Sequence, residues 1–84
     1  MDLNQLRADI DSIDCKLVNL LNQRASIALK IGVYKKKNSI PVFDSSREQH
    51  VLKRLSDINK GPLLNNQLME IFNTIMKSCR EIQL

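Results

Sequence analysis

One apolar stripe dominates the first part of the chain. Leu3, Leu6, Ile10, Ile13, Leu17, Leu20, Ile27, Ile31 and Tyr34 follow one another at spacings that alternate between three and four, interrupted only at position 24. Sustained over more than four heptads, this is the a/d pattern of a helix that buries one seam against another helix. No proline precedes Pro41, and Gly32 is the only glycine in the segment. The pattern predicts one helix from about Leu3 to about Lys36, roughly 50 Å long. A compact domain of 84 residues has a radius of gyration of only about 12 Å. The helix must therefore project, and its seam needs cover from a second chain.

Composition leads to the same expectation. A chain of this length buries little of its surface and needs a disulfide, a metal or association to be stable. Cys15 and Cys79 lie far apart, and His50 is the only histidine, with no CxxC, so a disulfide is not expected and a metal cluster has no ligands. Self-association remains. The opening Met1-Asp2-Leu3-Asn4 lacks the basic and apolar regions of a signal peptide, and no apolar run approaches a membrane span. A soluble, reduced, cytoplasmic protein is the expectation. The formal net charge is +4, which points to an anionic partner.

Two shorter helices are predicted after the break at Lys36-Lys37-Asn38-Ser39-Ile40-Pro41. Ser45-Ser46-Arg47-Glu48 reads as a capping box with Ser45 at the N-cap, and Asp44 is an equally good cap. Val51, Leu52, Leu55 and Ile58 form an apolar stripe, and Asn59-Lys60-Gly61-Pro62 stops the helix with Gly61 suited to C′. The third helix starts between Leu63 and Asn66 and carries Leu68, Ile71, Phe72, Ile75, Met76, Cys79 and Ile82. No strand alternation or internal repeat is present. The expected fold is all-α: three helices per chain, one long and two shorter, in an intertwined homodimer. Residues 1–84 form a single domain. The third helix reaches the last residue without a stop signal, which favours a domain trimmed from a longer protein.

Some residues do not suit a plain bundle. The heptad count sets Arg24 in the apolar seam, where a guanidinium needs an anionic partner; a carboxylate pair, or a stem that packs while the head reaches solvent, would serve as well as a ligand. Lys35 lies eleven residues on, about 20° around and roughly 16 Å along the helix, so the two cations could bracket a small anion. Lys36 and Lys37 read as a solvated helix end. Arg7 is roughly 25 Å from Arg24 along the axis. It could reach the middle of that helix only from an antiparallel partner chain, and by itself it reads as an exposed arginine. Gln83 shares a face with Cys79 and offers a polar tip on an apolar stripe, either inside a cavity or frayed. Arg47 and Glu48 have bland readings as a surface residue and a capping acid. Asp11, Asp14 and Lys16 are surface charges, and His50 faces solvent. Tyr34, Phe43 and Phe72 are expected in the core, and both cysteines are expected to be buried.

Taken together, these residues resemble a known family. Leu6-Arg7 with Ile10-Asp11-Ser12-Ile13-Asp14, Leu20-Leu21-Asn22-Gln23-Arg24, Ile31-Gly32-Val33-Tyr34-Lys35, Pro41-Val42-Phe43-Asp44-Ser45-Ser46-Arg47-Glu48-Gln49, Ile71-Phe72 and the closing Gln83 are similar in order and spacing to the all-helical chorismate mutases. The match is to the short bacterial type often fused to prephenate dehydratase. The resemblance implies an intertwined dimer with two identical sites, an isomerase turning chorismate into prephenate in phenylalanine and tyrosine biosynthesis, and no cofactor or metal. It implies that Lys35 and Gln83 act at the ether oxygen of the breaking bond. Arg24 and the partner's Arg7 hold carboxylate, Arg47 helps hold the dianion, and Glu48 with Asp44 binds the ring hydroxyl. Cys79 stands where the family carries serine. A thiol is a weaker donor, and the resemblance sets it at the site's edge.

Three rivals remain at this point. An isochorismate–pyruvate lyase uses a similar fold, although Asp44, Arg47 and Glu48 favour the mutase. A nucleic-acid module would explain the charge, but there is one basic cluster, few aromatics and no recognition motif. A non-enzymatic helical dimerisation module leaves Arg24 unexplained. The expected partners are thus a second copy, a small dianion and a fused pathway domain, with neither nucleic acid nor membrane.

Overall fold

In a computed structural model, which describes residues 2–84, three α-helices account for the fold: α1 (Leu3–Lys37), α2 (Ser45–Ile58) and α3 (Asn65–Gln83). α1 is continuous over 35 residues, one residue beyond the expected end. Asp2 caps its start, accepting from the backbone N–H of Asn4. Its end is a Schellman motif: Ile40 N–H bonds back to Lys35 C=O at 2.8 Å and Ser39 N–H to Lys36 C=O, with Ser39 in the left-handed region at φ 53°. The helix therefore stops through hydrogen bonds of its own last turn, ahead of Pro41.

The start of α2 settles the capping alternatives. Asp44, not Ser45, is the N-cap, and its Oδ1 accepts from Arg47 N–H at 3.0 Å. Glu48 consequently has no capping duty; its carboxylate pairs across the fold instead. α2 ends at Ile58 with Asn59 as C-cap, so Gly61 lies one residue past the C′ position expected for it. Gly61 has φ 74°, a left-handed backbone that costs glycine nothing. Asn59 secures the α2–α3 turn through bonds to Gly61 N–H, Leu63 C=O and Asn65 Oδ1.

α3 packs against both other helices, while the backbones of α1 and α2 stay apart. α2 and α3 form an antiparallel hairpin. α1 and α3 run in the same direction where they meet: Cys79 faces Arg24, and four residues later Gln83 faces Ala28. Among the described residues, the buried apolar side chains are Ala28, Val51, Met76 and Cys79, and none of them is sealed completely from solvent.

The radius of gyration is 15.8 Å and the extents are 55 × 24 × 16 Å. Against a compact value of about 12 Å, α1 projects as its length requires. Every residue from Asp2 to Gln23 is exposed, and the a/d seam lies open, with Ile10 58% and Leu20 59% accessible. Three expectations of burial fail on this chain: Cys15, Tyr34 and Phe43 are all exposed. Cys15 and Tyr34 lie on α1, which this chain covers only in part, and Phe43 lies in the α1–α2 connection. Among the described residues, no helix is long and apolar enough to cross a membrane.

With so few buried side chains, each should matter. Met76→Ala is expected to cost about 2–4 kcal/mol in urea unfolding at fixed protein concentration. The same truncation at the exposed Ile58 should cost under about 0.5 kcal/mol. Equal costs would show that the core is elsewhere.

Candidate active site

The C-terminal halves of α1 and α3 and the first turns of α2 enclose a cleft of ≈ 340 Å³. It gathers Arg24, Lys35, Asp44, Arg47, Glu48, Cys79 and Gln83, seven of the eight residues expected at a site. Its apolar floor includes Ile27, Ile31, Val51 and Met76. Arg7 is not among the lining residues; it lies roughly 25 Å from Arg24 along α1.

Gly32 sets how closely α3 approaches. A Cβ at this position would meet Gln83 Cγ at 2.9 Å and Cβ at 3.1 Å. Without one, the end of α3 lies against α1, and Gln83 Nε2 donates to Ala28 C=O at 2.8 Å. Gln83 is thus held in the cleft rather than frayed. Its amide nitrogen has two N–H donors, and one remains after the bond to Ala28.

The cations are held by different kinds of partner. Arg24 is half-buried, and its Nη1 donates to Cys79 Sγ at 3.2 Å. Of the outcomes left open for a seam arginine, the carboxylate pair is not formed among the described residues; the guanidinium meets a thiol instead. Lys35 Nζ donates to Val42 C=O at 2.8 Å, an acceptor delivered by the turn after α1. An ammonium has three donors, so two remain. Neither partner cancels a charge. Arg47, at the open start of α2, is exposed.

Arg80 also lines the cleft, although neither the heptad pattern nor the family resemblance points to it. Its guanidinium pairs with Glu48 Oε2, and its Cζ lies 5.0 Å from the centre of the Phe43 ring. The available signal was spacing: Arg80 is four residues after Met76 and three before Gln83, which sets all three on neighbouring rows of α3. With Arg80 included, four cations face two carboxylates, leaving the cleft electropositive. Such a cleft, with fixed donors over an apolar floor, suits a small, partly apolar dianion.

Comparison with known proteins agrees with this geometry. Residues 6–84 match the family model described as chorismate mutase type II. A bifunctional chorismate mutase/prephenate dehydratase of Neisseria gonorrhoeae is 38% identical over 77 residues, covering 92% of this chain and 21% of the relative. The chain spans about a quarter of the length of the curated bifunctional relatives it matches. Among solved structures, form II of the Thermus thermophilus chorismate mutase superposes with a TM-score of 0.95 at 25% identity, covering 96% of this chain and 92% of that one. The Helicobacter pylori chorismate mutase in complex with prephenate superposes at 0.89 with 38% identity, covering 96% and 88%.

The Gly32 contact can be tested without any ligand. In Gly32→Ala the methyl group should push Gln83 off Ala28 C=O. The Gln83 side-chain amide resonances should then move toward free-chain values, while helix content by circular dichroism is kept. Unmoved resonances would mean that the contact does not position Gln83.

Proposed function

The chain belongs to the chorismate mutase type II family, and from that membership we propose that its cleft converts chorismate to prephenate. The observation that carries this reading is the convergence of Arg24, Lys35, Glu48 and Gln83 from three helices on one electropositive cleft. The reaction is an intramolecular [3,3] shift. A C–O bond to the ring breaks as a C–C bond forms, with no proton, nucleophile or cofactor taking part.

A protein can assist such a step in two ways. The first is to hold the extended substrate in its compact reactive conformer. In this reading Arg24 and Arg47 bind carboxylate, and Glu48 with Asp44 receives the ring hydroxyl. The second is to place fixed donors where negative charge develops, here the ether oxygen. Lys35 keeps two N–H donors and Gln83 one after their bonds to Val42 and Ala28. Each is already oriented by the bond it has made, so little reorganisation accompanies the reaction. Cys79 borders the carboxylate region through its contact with Arg24.

The reading includes a homodimer with intertwined chains. Its support is the uncovered a/d seam and the exposed first two-thirds of α1. An antiparallel partner would bring its own Arg7 toward the middle of this helix and complete the carboxylate site. A cytoplasmic location and fusion of this single domain to a prephenate dehydratase or another pathway domain belong to the same reading. Fusion is supported by the bifunctional relatives.

Adding the chain to chorismate should consume it and yield prephenate; salicylate with pyruvate would identify a lyase instead. Lys35→Ala should lower kcat by about 100-fold or more, as loss of an oxyanion donor does, and a loss under about tenfold would remove Lys35 from that role. The shared site has a separate test. Mixing Arg7→Ala chains with Lys35→Ala chains gives dimers with one intact site, so activity should partly return. No recovery despite confirmed subunit exchange would exclude a site built from two chains.

A further inference from the structure

Arg80 has no part in the machinery just described, yet it lines the cleft and is fixed on two sides. Its Nη1 donates to Glu48 Oε2, and the guanidinium lies over the face of Phe43 at 5.0 Å. The negative face of an aromatic ring favours a cation. Arg80 and Glu48 are both half-buried, with side-chain exposures of 30% and 22%. The ion pair engages one carboxylate oxygen. Glu48 Oε1 has no hydrogen-bond partner among the described residues.

This arrangement answers an electrostatic difficulty. A cleft that receives a dianion gains nothing from a bare carboxylate in its wall, because like charges brought together in a partly desolvated site repel strongly. Arg24 and Lys35 are hydrogen-bonded elsewhere, to the Cys79 thiol and the Val42 carbonyl. Arg80 is the cation on Glu48 itself. A one-oxygen pair offsets the charge while leaving the second oxygen able to accept a hydrogen bond.

We propose that Arg80 is a positioning residue: it offsets the Glu48 charge toward an incoming dianion and holds that carboxylate with Oε1 free to accept from the substrate's hydroxyl. Phe43 fixes the guanidinium in turn. The inference rests on the reading of the cleft as a chorismate site.

Steady-state kinetics with chorismate test it, using wild type, Arg80→Gln, Arg80→Met and the double variant Glu48→Gln/Arg80→Gln, each with its melting temperature. Arg80→Gln removes the charge and keeps a polar donor on a shorter side chain. It should raise KM by about tenfold, the equivalent of ~1.4 kcal/mol, with a smaller change in kcat. Arg80→Met should move KM the same way, and Arg80→Gln carries the test alone if the methionine variant does not fold. The double variant keeps an amide acceptor at position 48 and removes the uncompensated charge, so its KM should fall back toward wild type. A double variant no better than Arg80→Gln would overturn the proposal, since Arg80 would then bind the substrate directly. An unchanged KM with a lowered melting temperature would overturn it too, leaving a structural role. If wild type leaves chorismate untouched, the reading of the cleft fails and this inference falls with it; active wild type with unaltered variants defeats this inference alone.

Discussion

The close approach of α3 to α1 at Gly32 is the contact on which the cleft depends. With no side chain at position 32, the end of α3 lies against α1, Gln83 can bond the Ala28 carbonyl, and one turn earlier Cys79 reaches Arg24. That same turn presents Arg80 to Glu48 on α2. The backbones of α1 and α2 stay apart, so the cleft side chains they carry are related through α3 and through the Lys35–Val42 bond in the connection between them. A substituent on Gly32 would therefore act on the wall of the cleft before it acted on the stability of the fold.

The partners chosen for the cations follow a pattern. Arg24 donates to a thiol and Lys35 to a backbone carbonyl. Both bonds orient a long, flexible side chain without neutralising it, so the full charge stays available to an anion. Arg80 is bound differently: its charge is offset by Glu48. Two cations of the cleft thus keep their charge uncompensated by their hydrogen-bond partners, and a third is paired with a carboxylate. On the proposed reaction, this division matters because the bound molecule carries two negative charges and a hydroxyl. Pure positive charge would bind the former and ignore the latter.

Much of this was legible in the sequence. The a/d stripe predicted α1 to within a residue, since a pattern of that length admits no other regular structure. The eleven-residue spacing brought Arg24 and Lys35 to one face, and both line the cleft. Less legible were features decided by contact between distant segments. The Ser45 capping box and the Asp44 cap satisfy the same local rules; what separates them is that Glu48 has an arginine on α3 to pair with. Phe43 looked like a core residue by hydrophobicity, yet its ring serves the Arg80 guanidinium from an exposed position. Arg80 itself was hidden because a helical arginine beside an apolar stripe is ordinarily a solvated one.

The remaining tension lies between the length of α1 and the amount of chain available to cover it. Full burial of one large apolar side chain contributes about 1.5–3 kcal/mol. Among the described residues only Ala28, Val51, Met76 and Cys79 are buried apolar side chains, while Leu3, Leu6, Ile10, Ile13, Leu17 and Leu20 are open to solvent. Those six side chains alone could contribute more on being covered than the four-residue core does now. Fold stability and site assembly then stop being separate matters. In the proposed antiparallel dimer, one packing event would bury the seam and carry the partner's Arg7 toward Arg24. A long helix that looks wasteful in a single chain would serve both purposes at once.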